Sequence, residues 1–182
     1  MQGQGLTSAF AGRPFVVCDF DGVLTSMSET PGSFINHPPS GYGPSSGPVA
    51  LFAGLLRRTG AVAVVSSNWR KFDESGPLSL WSGFPNPMPR LRAALGPLYA
   101  CALPPCRGMR KPQALAEWFR AEGLDPASAR YAVLDDDPRE GFESSVFAPR
   151  FVMTDPATGL TAEDCAKAEA LLAGGGVNAA PV

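Results

Sequence analysis

The sequence predicts an α/β fold with a mostly parallel central sheet, and three observations carry that prediction. Short, continuous apolar runs recur along the chain, as in strands buried on both faces. Segments of helical period separate them. Three of the runs stop at polar residues: Asp19 and Asp21, Ser66, and Asp135 to Asp137. Strands alternating with helices in this way indicate parallel crossover units.

The elements follow in order. Residues 14–18 (PFVVC) form the first buried strand. Residues 26–47 are dense in Ser, Gly and Pro and read as a long loop or small flap, a kind of segment that is commonly functional. Pro48 then opens a helix through Val49, Leu51, Phe52, Leu55 and Leu56, which Gly60 ends. Residues 61–65 (AVAVV) are a second strand. Residues 72–89 are irregular, a short helix follows around 90–95, and 98–103 offer a further strand. Pro112 sits at the start of a helix with Leu115, Trp118 and Phe119 on one face and Gly123 beyond its end. Residues 131–134 (YAVL) and 151–153 complete the strands. Thr161 caps the last helix, with Asp164 three residues on as its capping-box partner.

Composition narrows the class. The 182 residues suit one domain, and with 45% hydrophobic residues, 18% charged residues and a mean hydropathy near zero they can bury a sizeable core. We expect an N-terminal extension over 1–13, one domain over 14–173 and a flexible Gly/Ala-rich tail over 174–182. The apolar runs are far too short to span a bilayer, the N-terminus lacks a secretory pattern, and cysteines read as structural thiols point to a reducing cytoplasm. Four cysteines do not make a disulfide scaffold. Cys18 and Cys165 read as small core residues. Cys101 and Cys106, with His37 as the single histidine, make a poor zinc set.

The net charge of −2 and pI of about 5.4 argue against a general nucleic-acid coat protein. The charge is unevenly spread. Residues 57–111 hold nine basic and two acidic side chains, a net +7, and the remainder is correspondingly acidic. A basic middle beside an acidic site suits a phosphorylated or polyanionic substrate.

In an open parallel sheet, ligands bind in the crevice beyond the strand C-termini, so the three polar strand ends are expected to converge there. Two carboxylates about 4 Å apart repel by roughly 4 kcal/mol at an effective dielectric near 20. Several of them need a cation or raised pKa values. An all-oxygen set facing a phosphorylated substrate suits Mg²⁺.

These residues resemble the haloacid dehalogenase-like (HAD) hydrolases. Asp19-Phe20-Asp21-Gly22-Val23-Leu24-Thr25 after an apolar strand is similar to that superfamily's first motif. Ser66, Lys111 and Asp135-Asp136 supply, in order, its hydroxyl, its basic residue and its acidic pair. A narrower similarity covers roughly residues 15–172. Ser66-Ser67-Asn68-Trp69-Arg70, Glu117-Trp118-Phe119 ahead of Asp135-Asp136-Asp137, and Thr154-Asp155-Pro156 with Thr158-Gly159-Leu160-Thr161 resemble the HAD domains of "Swiss Army Knife" RNA-repair proteins. The resemblance implies a Rossmann-like three-layer sandwich without a large cap domain. It implies a Mg²⁺-dependent phosphatase acting on a nucleotide, a nucleic-acid end or a small metabolite.

By resemblance, Asp19 is the nucleophile and Asp21 the acid and base. Ser66 binds a phosphoryl oxygen, with Ser67 as the alternative. Lys111 offsets the charge, with Arg110 as the alternative. Asp19, the backbone carbonyl of Asp21, and Asp135 or Asp136 are the expected metal ligands. Gly22, Ser67, Asn68 and Arg70 are expected at the substrate. Trp69 either stacks on a base or packs in the core, and Asn68 either contacts substrate or caps the helix after Ser66. Asp137 before Pro138 reads as a cap.

Two other readings are weighed. Cys101 and Arg107 have the C-x5-R spacing of cysteine phosphatases, but Pro104 and Pro105 lack the N–H groups such a loop needs. A non-catalytic module of the same fold that binds a phosphorylated ligand or protein partner would be marked by loss of Asp19 or Asp21, and both are present.

Overall fold

The computed structural model describes residues 12–26, 43–69, 87–104 and 108–174. Five strands form one parallel sheet: β1 (Phe15–Cys18), β2 (Val62–Val65), β3 (Tyr99–Ala102), β4 (Tyr131–Asp135) and β5 (Phe151–Met153), in the spatial order β3-β2-β1-β4-β5. Among the described residues the α-helices are α1 (Ser46–Thr59), α2 (Met88–Leu95), α3 (Lys111–Ala121) and α4 (Ala162–Ala173). The α/β class and the parallel sheet expected from sequence are therefore present.

Alternation along the strands sorts side chains into two cores. Val16 and Cys18 of β1, Ala63 and Val65 of β2, and Ala132 and Leu134 of β4 face a cluster built with Val49, Phe52, Leu55 and Leu56 of α1, Met88 and Leu91 of α2, and Cys165, Ala168 and Leu172 of α4. Phe15, Val17, Val62, Val64, Tyr131 and Val133 face the other, which holds Leu115, Trp118 and Phe119 of α3 together with Phe142 and Phe147. The result is three layers, helices on both faces of the sheet. The second core is aromatic: Phe15 stacks on Tyr131 at 5.7 Å between ring centres, and Phe119 meets Tyr131 edge-on at 4.9 Å. Cys18 and Cys165 are buried thiols, as their apolar surroundings in the sequence implied.

The boundaries differ in small ways with local causes. Helix α1 starts at Ser46, two residues before Pro48, so the last two residues of the 26–47 stretch are helical. Helix α2 starts at Met88 rather than Arg90, because Pro89 fits the first turn and Met88 is drawn into the core. Strand β4 runs one residue further than its apolar run and takes in Asp135, which pairs with Met153 of β5. The Thr161 cap forms as expected: its hydroxyl accepts from the Asp164 N–H at 3.2 Å, and the Asp164 carboxylate accepts from the Thr161 N–H at 3.1 Å. Asp137 caps the 3₁₀ turn Pro138–Glu140 by accepting from Arg139 N–H at 2.9 Å. Most of the 26–47 flap, most of the 72–89 stretch, His37, Cys106, Arg107, the 1–11 segment and the 175–182 tail lie outside the described residues. Among the described residues no helix is long and apolar enough to cross a membrane.

Candidate active site

The strand order reverses at β1: the chain steps to β2 and β3 on one side, then returns to β4 and β5 on the other. Such a switch point leaves a crevice beyond the C-terminal ends of its central strands. Cys18 is level with Val65 and with Leu134, so Ser66, Asp19 and Asp135 leave three adjacent strands at the same height. The ladder continues one bond past β1 on each side, through Ser66 N–H to Cys18 C=O at 2.8 Å and Asp19 N–H to Leu134 C=O at 3.0 Å. The apolar runs set the register, and the register sets the site.

Asp19 is buried with both oxygens engaged. Oδ1 accepts from the Phe20 N–H at 2.7 Å, and Oδ2 accepts from the Lys111 ammonium. The same ammonium donates to Asp135 Oδ2 at 2.7 Å, and Asp135 Oδ1 accepts from the Asp137 N–H at 3.1 Å. Lys111 is the first residue of α3, and its backbone N–H donates to Glu140 Oε2 at 2.9 Å, so a third carboxylate ties down the helix end that carries the ammonium. Of the two basic candidates, Lys111 reaches the acids. Arg110 is exposed in the extended residue before α3.

Asp136 is half-buried and lies over Gly22. Gly22 has φ +66°, and a Cβ there would come within 2.3 Å of the Asp136 carboxyl carbon. Gly22→Ala therefore strains the backbone and displaces Asp136. A loss of about 1–2 kcal/mol is expected, read as a lower thermal midpoint in EDTA, together with weaker protection by added Mg²⁺. An unchanged midpoint and unchanged Mg²⁺ protection would separate Gly22 from the placement of Asp136.

The turn that carries Asp19 and Asp21 is braced from below. Leu24 and Thr25 N–H both return to Phe20 C=O, and Thr25 Oγ1 accepts from Gly22 N–H at 3.2 Å. Thr154, just after β5, donates its hydroxyl to Gly22 C=O at 3.0 Å, and Leu160 N–H donates to Val23 C=O at 2.8 Å. Gly159, at φ +68°, lets that segment close in, since a Cβ there would sit 2.8 Å from Thr25 C=O. The Thr154 to Thr161 segment is thus a structural support for the turn.

Ser66 and Ser67 are both buried at the end of β2. Ser67 Oγ accepts from Trp69 N–H at 3.3 Å, so Ser67 rather than Asn68 caps the turn that follows the strand. Asn68 is exposed. Trp69 packs against the first core and donates its indole Nε1–H to Asp21 Oδ2 at 2.9 Å. Asp21 Oδ1 is buried and has no hydrogen-bond partner among the described residues. Arg70 lies outside the described residues. The sequence points Trp69 to the core or to a base, and it shows neither the Trp69 bond to Asp21 nor any role for Glu140. The partner of each is distant in sequence, and an indole after a strand gives no local sign of what it bonds.

Charge is concentrated at this spot. Burial, then the Asp19 charge, push Asp21 up to about 7 against the pull of the Trp69 hydrogen bond. The same two causes raise Asp135 to about 7, against Lys111, and Asp136 to about 6. Burial alone would lower the Lys111 ammonium, but Asp19 and Asp135 outweigh it and hold its pKa above the ordinary value. Burial, then Asp19, raise the Cys18 thiol beneath the turn, so it stays protonated and inert.

One carboxylate oxygen from each of Asp19, Asp135 and Asp136 lies within 4.8 Å of the others. Three carboxylates against one ammonium leave a surplus of negative charge, and all the donors are hard oxygens. This set fits a small divalent cation such as Mg²⁺.

A family model described as the HAD domain in Swiss Army Knife RNA repair proteins matches residues 15–165, which span every strand and every acid of the cluster. The chain belongs to this family. Searches of curated proteins and of solved structures returned no match. Membership accords with the sheet, and it brings phosphatase-type hydrolase chemistry on phosphorylated substrates as the general character of HAD domains. Within the family's fold, the acid cluster and Lys111 occupy the C-terminal edge of β1 and β4.

Proposed function

We propose that the chain is a Mg²⁺-dependent phosphomonoester hydrolase working through an aspartyl-phosphate. The observation that carries this reading is the Lys111 ammonium held between Asp19 and Asp135 with Asp136 alongside. A buried lysine that ties a strand-end aspartate to a second acid gives that aspartate a counter-charge and fixes its direction, which a nucleophile needs.

Asp19 attacks phosphorus through a carboxylate oxygen, the ester oxygen leaves, and Asp21 delivers a proton to it. Water then attacks the acyl-phosphate, Asp21 takes the water's proton, and inorganic phosphate departs. Lys111 balances charge on Asp19 and on the transferring group, and Ser66 donates a hydrogen bond to a phosphoryl oxygen. Asp19, the Asp21 backbone carbonyl, and Asp135 or Asp136 would hold Mg²⁺, which supplies charge neutralisation and orientation at the phosphoryl oxygens. Phosphoryl transfer depends mainly on positioning and electrostatics, and these groups supply both.

We further propose a nucleotide or a nucleic-acid end as the substrate, with Gly22, Ser67, Asn68 and Arg70 near it. The family's association with RNA repair supports this, as does the net +7 of residues 57–111. The test is phosphate release from nucleotides, 3′- and 5′-phosphorylated oligonucleotides and sugar phosphates, in Mg²⁺ and in EDTA. Release that requires Mg²⁺ and is fastest on nucleotides or oligonucleotides is expected. Fastest release from a sugar phosphate would move the substrate to a metabolite. No release from folded, Mg²⁺-bound protein would leave a module that only binds its phosphorylated ligand.

A further inference from the structure

Trp69 touches the residue assigned to proton transfer through a single polar contact. Its indole Nε1–H donates to Asp21 Oδ2 at 2.9 Å, across 48 positions of sequence. An indole N–H is a donor only, so it can hold a carboxyl oxygen solely as an acceptor. With Oδ2 committed in this way, Oδ1, which is buried and has no hydrogen-bond partner among the described residues, is the oxygen left to carry a proton. The indole is itself anchored. Its ring packs against the first core, and its backbone N–H is tied to Ser67 Oγ at 3.3 Å. The end of β2 thereby fixes the rotation of a side chain carried by the turn after β1. Neither Asp19 nor Lys111 does this, since their hydrogen bonds go elsewhere.

We propose that Trp69 is a positioning residue that orients the Asp21 carboxyl for proton delivery to the leaving oxygen. The proposal rests on the hydrolase reading above and adds a residue to it. Its effect depends on the leaving group. An alkoxide cannot depart without a proton, whereas p-nitrophenolate can, so misorienting the acid penalises alkyl esters selectively.

The experiment compares kcat/KM for p-nitrophenyl phosphate and for an alkyl phosphate, with wild type and Trp69→Phe. The parameter kcat/KM is chosen because it reads the step in which the leaving group departs, ahead of acyl-phosphate hydrolysis. Phenylalanine keeps an aromatic ring and removes the N–H. The ratio of the two rates within one preparation is independent of how much protein is folded. The alkyl ester is expected to slow by about 10–100-fold, as small misplacements of a catalytic group do, with p-nitrophenyl phosphate much less affected. An equal loss on both substrates, or a gain on the alkyl ester, overturns the positioning role while leaving the hydrolase reading intact. Absence of turnover by wild type on both substrates overturns the hydrolase reading and this inference with it.

Discussion

Asp19→Asn is expected to lower Mg²⁺-dependent phosphate release by about 10⁴–10⁶-fold, the scale on which loss of a covalent nucleophile registers. The side chain keeps its size. Its amide oxygen still accepts from the Phe20 N–H, and Lys111 still has Asp135 as a partner. What is lost is the carboxylate that attacks phosphorus. Retention of the wild-type rate would remove Asp19 as the nucleophile.

The same variant carries a second readout that shows whether the protein is folded with the site changed as expected. Asp19 is among the causes that raise Asp21, Asp135 and Asp136. An acid whose folded pKa lies above its unfolded value binds more protons in the native state, so stability falls as pH rises between the two. For Asp21 and Asp135 that window runs from 3.8 to about 7. In EDTA the wild-type thermal midpoint is therefore expected to carry a downward contribution across that window. Asp19→Asn should make the decline shallower, because the remaining acids lose a repelling neighbour. A steeper decline would contradict the electrostatic account.

The fold was legible because buried parallel strands announce themselves as continuous apolar runs, and β1, β2, β4 and β5 each coincide with one. The site was legible for a related reason: a parallel sheet gathers whatever ends its strands, so Asp19, Ser66 and Asp135 meet although they are far apart in sequence. The rest depended on tertiary contacts with no local signal. Between Asp135 and Asp136 the sequence offers two adjacent acids. The structure divides them by pairing Asp135 with Met153, fully buried against Lys111, and by leaving Asp136 over Gly22. Between Arg110 and Lys111 the choice rests on where α3 begins, which a Pro at the next position marks only to within a residue. The Ser46 start of α1 has no sequence signal, because Ser46 and Gly47 carry no apolar periodicity. The Trp69 to Asp21 bond joins two segments that each looked complete, a cap after β2 and an acidic turn after β1.

Lys111→Met is expected to be the most destabilising of the site substitutions in metal-free protein. Methionine preserves most of the aliphatic stem, so the change isolates the ammonium. The Lys111 side chain is 7% exposed, and those of its two partners, Asp19 and Asp135, are 10% and 0% exposed. Removing one member of a buried ion cluster leaves charge uncompensated, at a cost of about 3–5 kcal/mol. For a chain of this size that corresponds to a fall of roughly 6–20 °C in thermal midpoint. An exposed lysine at a helix start would cost about 0.5 kcal/mol or less. Added Mg²⁺ provides the control, because a ligand that binds only the native state raises its stability. A cluster that has lost its internal cation should depend on Mg²⁺ more, so the midpoint shift between EDTA and Mg²⁺ is expected to be larger in the variant than in wild type. Phosphate release should also fall, by about 10²–10³-fold, as when one preorganised electrostatic contact is deleted. A midpoint within about 1 °C of wild type in EDTA would mean that Lys111 does not neutralise the buried acids. The central geometric basis for reading Asp19 as the nucleophile would then be gone.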